Sequence, residues 1–453
     1  MENGFSLSLT TLFSHLKTIS SPSKIKHDIV DFAINIKSVA VHDPRRIAHS
    51  LKVALAITLV SITYFLEPFY NIFSDAGIWA IITVAMVFEY TVGATLSKGL
   101  NRAFATLLAG ALGLGADSFA SLFGQTVKPI ILGFFVFLIV ALATFSRFIP
   151  NIKKRYDYGM SIFMLTFILV SVSGSRVDSI IKLAHQRLTA IVFGGVIGIL
   201  ISLCVLPVWA GEGLHKLIVK NLEELAKFLE GFGGVYYRIS NGDKLFFDSY
   251  KSVLNSKATD EQSLANSAWW EIGHGKFQFR HPWTKYLEIG DCTRQCAYHI
   301  EALNGYLEEK YAPSEFQETV KEPCMKMSSE VGKALKELGS SMKLMICPSS
   351  SYIHIKNCKI AIEELNTTLK VSMVADRCDV LEAIPVIAAT SILVEIIACV
   401  ETMSKAIEEL SKQAHFQEPK CVTLSEQTEK PHYVDHGFAL GGKYKETIIV
   451  TVL

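Results

Sequence analysis

The chain has 453 residues, half of them hydrophobic, with 44 basic and 43 acidic side chains. So even a balance gives net charge no power to name a partner, and no nucleic-acid partner is expected. The charges are unevenly spread, however. Residues 48–212 hold eleven basic and seven acidic side chains, whereas beyond Gly213 a charge recurs every few positions.

Residues 1–47 carry Ser, Lys and Asp rather than a cleavable apolar core, so no secretory signal is expected. Ile29, Phe32, Ile36 and Val39 fall at helical spacing among Lys26, Asp31 and Lys37. This predicts an amphipathic helix on the inner leaflet or against the C-terminal domain. At its end, Asp43 is placed to cap the next helix and Pro44 to open it.

Six apolar segments follow, at Ala48–Leu66, Gly77–Thr95, Ala103–Phe119, Pro129–Phe148, Tyr158–Ser173 and Leu188–Trp209. Each is near the ~20 residues that cross a bilayer. Arg45, Arg46 and Lys52, then Lys98 and Arg102, then Arg147, Lys153, Lys154 and Arg155 crowd alternate ends. The positive-inside rule puts those ends, and both termini, in the cytosol. The last outer loop breaks the pattern with Arg176, Lys182 and Arg187. Small residues recur every fourth position at Ala105, Ala109 and Gly113, at Ala111 and Gly115, and at Gly194 and Gly198. Such faces let helices approach closely, either within a subunit or between two. One subunit offers few polar faces to enclose a polar route, so assembly around a shared route is expected.

The ionisable residues near membrane depth carry the chemistry. Lys98 and Arg102 share one helix face, while Arg147 closes the fourth span and Lys154 follows it beyond Pro150. Arg176 and Arg187 bracket the outer end. Any one of these has a bland reading as a side chain reaching for headgroups. Together they make basic clusters at both mouths, as a permeating anion needs. Glu89, the acid within a span, is expected to pair with Lys52, Arg102 or another cation, with gating as the sharper reading. Trp79 reads as an interfacial residue or a constriction.

Beyond the membrane, Leu214, Ile218, Leu222, Leu225 and Leu229 form a helix stripe that the glycines of 231–234 are expected to stop. Further helical patterns span 284–309, 314–345, 351–374 and 383–413. Ala383–Val394 lacks charge but is too short for a span, so it is read as a buried core helix. The expected fold is an all-α membrane protein: six transmembrane helices followed by an all-helical cytosolic domain. Its divisions are 1–47, 48–212, 213–415 and a polar, mobile tail at 416–453.

Nine cysteines without framework spacing fit a reduced cytosolic setting. Cys292, Cys296 and His299 share a predicted helix, with His274 and His281 near in sequence, but no second pair completes a zinc set. The chain has no phosphate-cradling glycine loop, GxSxG or HExxH, so no catalysis, cofactor, metal or pump is expected.

The run Asp43–Arg46, the stretch Glu89–Thr95 leading to Lys98–Arg102, and Tyr156–Gly159 resemble the aluminium-activated malate transporter family of plants. So do Ser171–Gly174 with Arg176–Asp178, and His185–Arg187. In the cytosolic part the similarity continues through Trp270–Glu271, His274–Gly275, Phe277–Trp283 and Cys296–Tyr306, covering about residues 40–310. The resemblance implies a dimeric, passive anion channel passing malate and often inorganic anions. It does not imply aluminium activation, which many members lack. A malate route through Lys98, Arg102, Arg147 and Lys154 at the cytosolic half, and Arg176 and Arg187 outside, is the expectation, with the plasma membrane favoured over the vacuolar one. A secondary carrier or an exporter of organic acids stays open as an alternative.

Overall fold

The structure, a computed structural model, describes residues 43–67, 77–173, 180–236, 248–308, 315–374 and 380–418, with seven positions between His27 and Val41. Those seven have helical backbone, but Ile29, Phe32, Ile36 and Val39 of the expected stripe lie outside the described residues. Helix α1 (Pro44–Phe65) opens as its sequence requires: Pro44 takes the first turn and the Asp43 carboxylate accepts the Arg45 N–H at 3.1 Å.

The second predicted span is interrupted. Helix α2 (Gly77–Val87) ends at Val87, and α3 (Val92–Ser121) begins after four intervening residues. The break is held by polar caps. The Thr91 hydroxyl accepts from Ala94 N–H at 3.3 Å, the Thr95 hydroxyl from Glu89 N–H at 3.0 Å, and the Val208 carbonyl from Val92 N–H at 2.9 Å. The third span, expected from Ala103, therefore starts eleven positions earlier. At 30 residues, α3 is about 45 Å long, more than the ~30 Å of hydrocarbon. Lys98 and Arg102 thus ride on one continuous helix with the cavity-facing residues beyond them.

Helices α4 (Lys128–Ser146), α5 (Pro150–Ser173) and α6 (Ile180–Cys204) complete the membrane half. Because α5 starts afresh at Pro150, Arg147 and Lys154 do not share a helix face. Stretches long and apolar enough to cross a membrane are α1, α3, α4, residues 185–204 of α6 and residues 383–413 of the last helix. Eleven residues make α2 shorter, and α5 opens with Lys153, Lys154, Arg155 and Asp157. One core joins α1, α2 and α6 through Ala56, Val60, Ala80, Val84 and Ala190; another joins α3, α4 and α5 through Ala109, Ala116, Leu132 and Phe167.

Small residues set the closest approaches. Gly113 lets α3 meet Val170 of α5, where an added Cβ would lie 2.8 Å from the valine methyl. Gly194 lies so close to the Ala80 carbonyl that a Cβ would collide with it. The stripe Ala105, Ala109, Gly113 is thus spent inside the subunit, whereas Ala111 and Gly115 stay exposed.

The second half is a helical core of its own: α7 (Ala210–Tyr236), a short α8 (Lys251–Leu254), α9 (Ala258–Ala268), α10 (Trp283–Glu308), α11 (Glu315–Leu344), α12 (Ser351–Val374) and α13 (Val380–Gln413). Leu214, Ile218, Leu222, Leu225 and Leu229 are all fully buried, as their spacing requires. Helix α7 does not stop at the glycines. It runs on to Tyr236, and Gly233 serves to admit Met325 of α11, 3.3 Å from where a Cβ would sit. In α13, Val386, Ala389, Leu393, Ile396 and Val400 join the same core, so this apolar run is covered by protein. No strand occurs among the described residues; an isolated bridge pairs Ile346 with Gln417. Of the expected mobile tail, residues 419–453 lie outside the described residues.

Two buried histidines share one phenol in this core: Tyr286 Oη lies 3.0 Å from His215 Nδ1 and 3.3 Å from His281 Nε2. Burial lowers both pKa values to about 4, with neighbouring positive charge adding to the effect.

Gly194→Ala is expected to separate α2 from α6 and lower folded yield, at a cost of about 1–3 kcal/mol. Gly195→Ala, whose Cβ would meet nothing within 4 Å, should be tolerated; detergent-solubilised yield and melting temperature compare them. Acid should also loosen the second half. Unfolded histidine takes a proton near pH 6.5, whereas His215 and His281 resist one until about 4. Stability is therefore lost as pH falls through that window, by about 1.4 kcal/mol per pH unit for each histidine. His215→Gln should flatten the decline of melting temperature between pH 7 and 5.

Candidate functional site

Periodicity on α3 decides what faces inward. Arg102 and Thr106 lie one turn apart and are buried, and Gly110 continues their line. They form one wall of a cavity of about 320 Å³ between α2, α3, α5 and α6. Trp79 comes from α2, Ile162 and Thr166 from α5, and His185 and Arg187 from α6. At roughly 30 Å³ per water, that volume suits a small hydrated anion. The other lining is mostly aliphatic, and none of the lining residues is acidic.

Two guanidinium groups serve this space. Arg102 is only 5 % exposed, donates from Nη1 to the Tyr158 hydroxyl at 3.2 Å, and leaves its buried Nε without a partner. The Arg187 guanidinium lies 5.1 Å from the Trp79 ring centroid, and its Nε is likewise buried and unpartnered. Neutral side chains hold both cations here, a phenol and an indole, and among the described residues no carboxylate pairs with either. Buried donors that face an acid-free apolar cavity favour a negative occupant.

The other predicted residues are placed differently. Glu89 does find a cation, and it is Lys98, whose ammonium also sits 5.4 Å from the Tyr158 ring centroid. Lys52 instead donates to the Leu206 carbonyl at 3.1 Å. Arg147 makes a two-pronged pair with Asp157 at 2.7 and 3.0 Å, across the corner between α4 and α5. Lys154 is exposed on α5 and does not line the cavity. Arg176 lies outside the described residues. The structure therefore brings Trp79, Arg102 and Arg187 together and leaves Lys98, Glu89 and Arg147 in ion pairs at its margins.

Sequence reasoning did not single out Tyr158, Thr106 or Thr166. Thr106 was findable, since it stands four residues after Arg102 on the same face. Tyr158 lies on another helix, and only packing reveals it. Elsewhere, Cys292 and Cys296 are free thiols, and burial first, then the neighbouring Cys399 and Cys292, pushes the Cys296 pKa far up. Among the described residues no three His, Cys, Asp or Glu side chains gather as a metal site.

The model of the family described as aluminium activated malate transporter matches residues 37–375. Aluminum-activated malate transporter 2 of Arabidopsis thaliana is 46 % identical over 393 residues, covering 85 % of this chain and 78 % of the relative. Aluminum-activated malate transporter 1 of Triticum aestivum is 42 % identical over 404 residues, covering 86 % and 87 %. Aluminum-activated malate transporter 10 of Arabidopsis thaliana is 38 % identical over 436 residues, covering 87 % and 88 %. With a family match over most of its length and relatives this similar, the chain, an all-α membrane protein, belongs to the aluminium-activated malate transporter family.

Proposed function

We propose that this protein is a passive, malate-permeable anion channel, with Arg102 and Arg187 as the fixed cations of its route. One observation carries the reading: a buried Arg102 and a half-buried Arg187, each with a buried, unpartnered Nε, at a cavity with no acid among its described lining residues. A carboxylate leaving water needs compensation, and an apolar wall strengthens what each cation supplies. Arginine adds a planar fork that matches a carboxylate. Malate is chosen because the relatives bear that name; other organic and inorganic anions share the charge that the site reads. Trp79 is the candidate constriction, since it stacks on one of the two cations. Glu89, by holding Lys98, is the candidate gating acid. Lys98, Arg147, Lys154 and Arg176 belong to the mouths in this reading. The charge pattern supports cytosolic termini, with the plasma membrane as the favoured site. The cytosolic domain begins near Gly213.

We further propose a homodimer. The α3 wall of the cavity includes Leu107 and Ala111, which stay exposed in the single subunit. A second copy there would close the route and present each basic residue twice about a two-fold axis. Cross-linking in native-like membranes should trap pairs, and a monomer that conducts would refute the arrangement.

Patch recording with malate as the only permeant anion, with and without aluminium, tests the activity: unitary currents are expected, and their absence alongside saturable transport would favour a carrier. Arg102→Ala should lower unitary malate current by about tenfold or more, the scale of a lost charge-assisted hydrogen bond. Lys should rescue in part, keeping the charge and losing the fork. Wild-type unitary current and malate-to-chloride reversal potential in Arg102→Ala would remove this residue from the route.

A further inference from the structure

Away from the cavity, one carboxylate occupies an unusual position. Glu271 is 3 % exposed, and its two oxygens accept the N–H groups of Ala210 at 2.6 Å and Gly211 at 3.1 Å, the first turn of α7. Gly93, in the first turn of α3, packs directly against the same side chain. A single side chain thus satisfies otherwise unpaired amides at the start of α7 while packed against the start of α3, at the positive end of both helix dipoles.

Backbone approach at this joint is as close as glycine permits. A Cβ on Gly93 would collide with the Ser267 carbonyl and lie 2.8 Å from Glu271 Cγ; one on Gly211 would run into the Trp283 ring. Neighbouring contacts bind the same segment to α5. The Arg155 guanidinium sits 4.0 Å from the Trp269 ring centroid, Tyr156 meets Trp270 edge-on, and the Arg155 carbonyl accepts from Asn101 of α3 at 2.9 Å. Helix α7 runs into the C-terminal core, and α3 carries Arg102 about 13 Å further along its axis from Gly93. Any tilt or rotation of α3 about this joint moves Arg102 with it, because a helix transmits motion as a stiff element.

We propose that Glu271 is a positioning residue that locks the start of α3 to the start of α7, so that the C-terminal helical core sets where Arg102 stands in the cavity. The functional half of this inference rests on the anion-route reading above; the mechanical half does not. Glutamine at 271 accepts with one oxygen only and turns an N–H toward one of the two α7 amides. Alanine at 93 pushes the joint open from the opposite side.

The test uses full-length protein: wild type, Glu271→Gln, Gly93→Ala and the double variant, recorded at measured surface density. Each single variant should lower open probability about tenfold and also change unitary malate conductance, because both displace Arg102. The double variant should be no worse than the more severe single, since both release one joint. Wild-type open probability in the singles, or additive losses in the double, would overturn the proposal. Arg155→Gln, which loosens the joint from outside the buried carboxylate, supplies the same comparison if Glu271→Gln fails to reach the membrane. Hydrogen exchange on the purified full-length protein reads the lock without any current. Amides at 92–96 and 210–214 should exchange faster in Gly93→Ala and Arg155→Gln while those of α11 and α12 stay protected; unchanged protection at the two helix starts would refute it. Should Arg102→Ala leave permeation untouched, the route reading fails, and the exchange result still decides the lock.

Discussion

Hydrocarbon offers no partner to a peptide N–H or a charged side chain, and this constraint orders the molecule. It makes the membrane half helical, because only a helix satisfies its own backbone there. The interruption between α2 and α3 is capped where the start of α3 meets the second helical core. Thr91 and Thr95 hydroxyls and the Val208 carbonyl take the amides that a continuous helix would have satisfied internally. Placing the break there frees α3 to begin early and to carry Lys98, Arg102 and Thr106 along one line.

The same constraint sorts the charges. Lys98 meets Glu89, Arg147 meets Asp157, and Lys128 meets Asp117 at 2.8 Å, so each of these cations is neutralised by a near carboxylate. Arg102 and Arg187 are exceptions at the cavity. Tyr158 gives Arg102 an oxygen without a full negative charge, and Trp79 gives Arg187 a π face. Both cations are therefore oriented without being cancelled. That is the electrostatic difference between a structural ion pair and the anion site proposed above.

Outside the bilayer the problem is ordinary burial. One core runs from Ala210 to Phe416, and α7 is its spine, with the fully buried leucine stripe against α10 and α11. Polar groups trapped in it are matched locally. Burial alone would raise the pKa of Glu330, yet hydrogen bonds from Lys333, His354 and Asn357 outweigh that and bring it down to about 2, tying α11 to α12.

The local features were legible because period, caps and charge are local. Sequence alone determined the helical class, the Asp43–Pro44 start, the common face of Lys98 and Arg102, the buried stripe of α7 and a cation for Glu89. It overextended the second span, since nothing within Phe88–Thr95 marks a stop and the carbonyl that helps hold it open belongs to Val208. It did not show the partner of Arg147, since Asp157 meets it only when α4 and α5 turn the corner. The cavity itself, the pairing of Arg187 with Trp79 and the meeting of two helix starts at Glu271 were decided by tertiary structure. Each depends on side chains far apart in the chain, and periodicity carries no information about which helix faces which. Packing supplies it, through glycines whose missing side chains let particular helices touch.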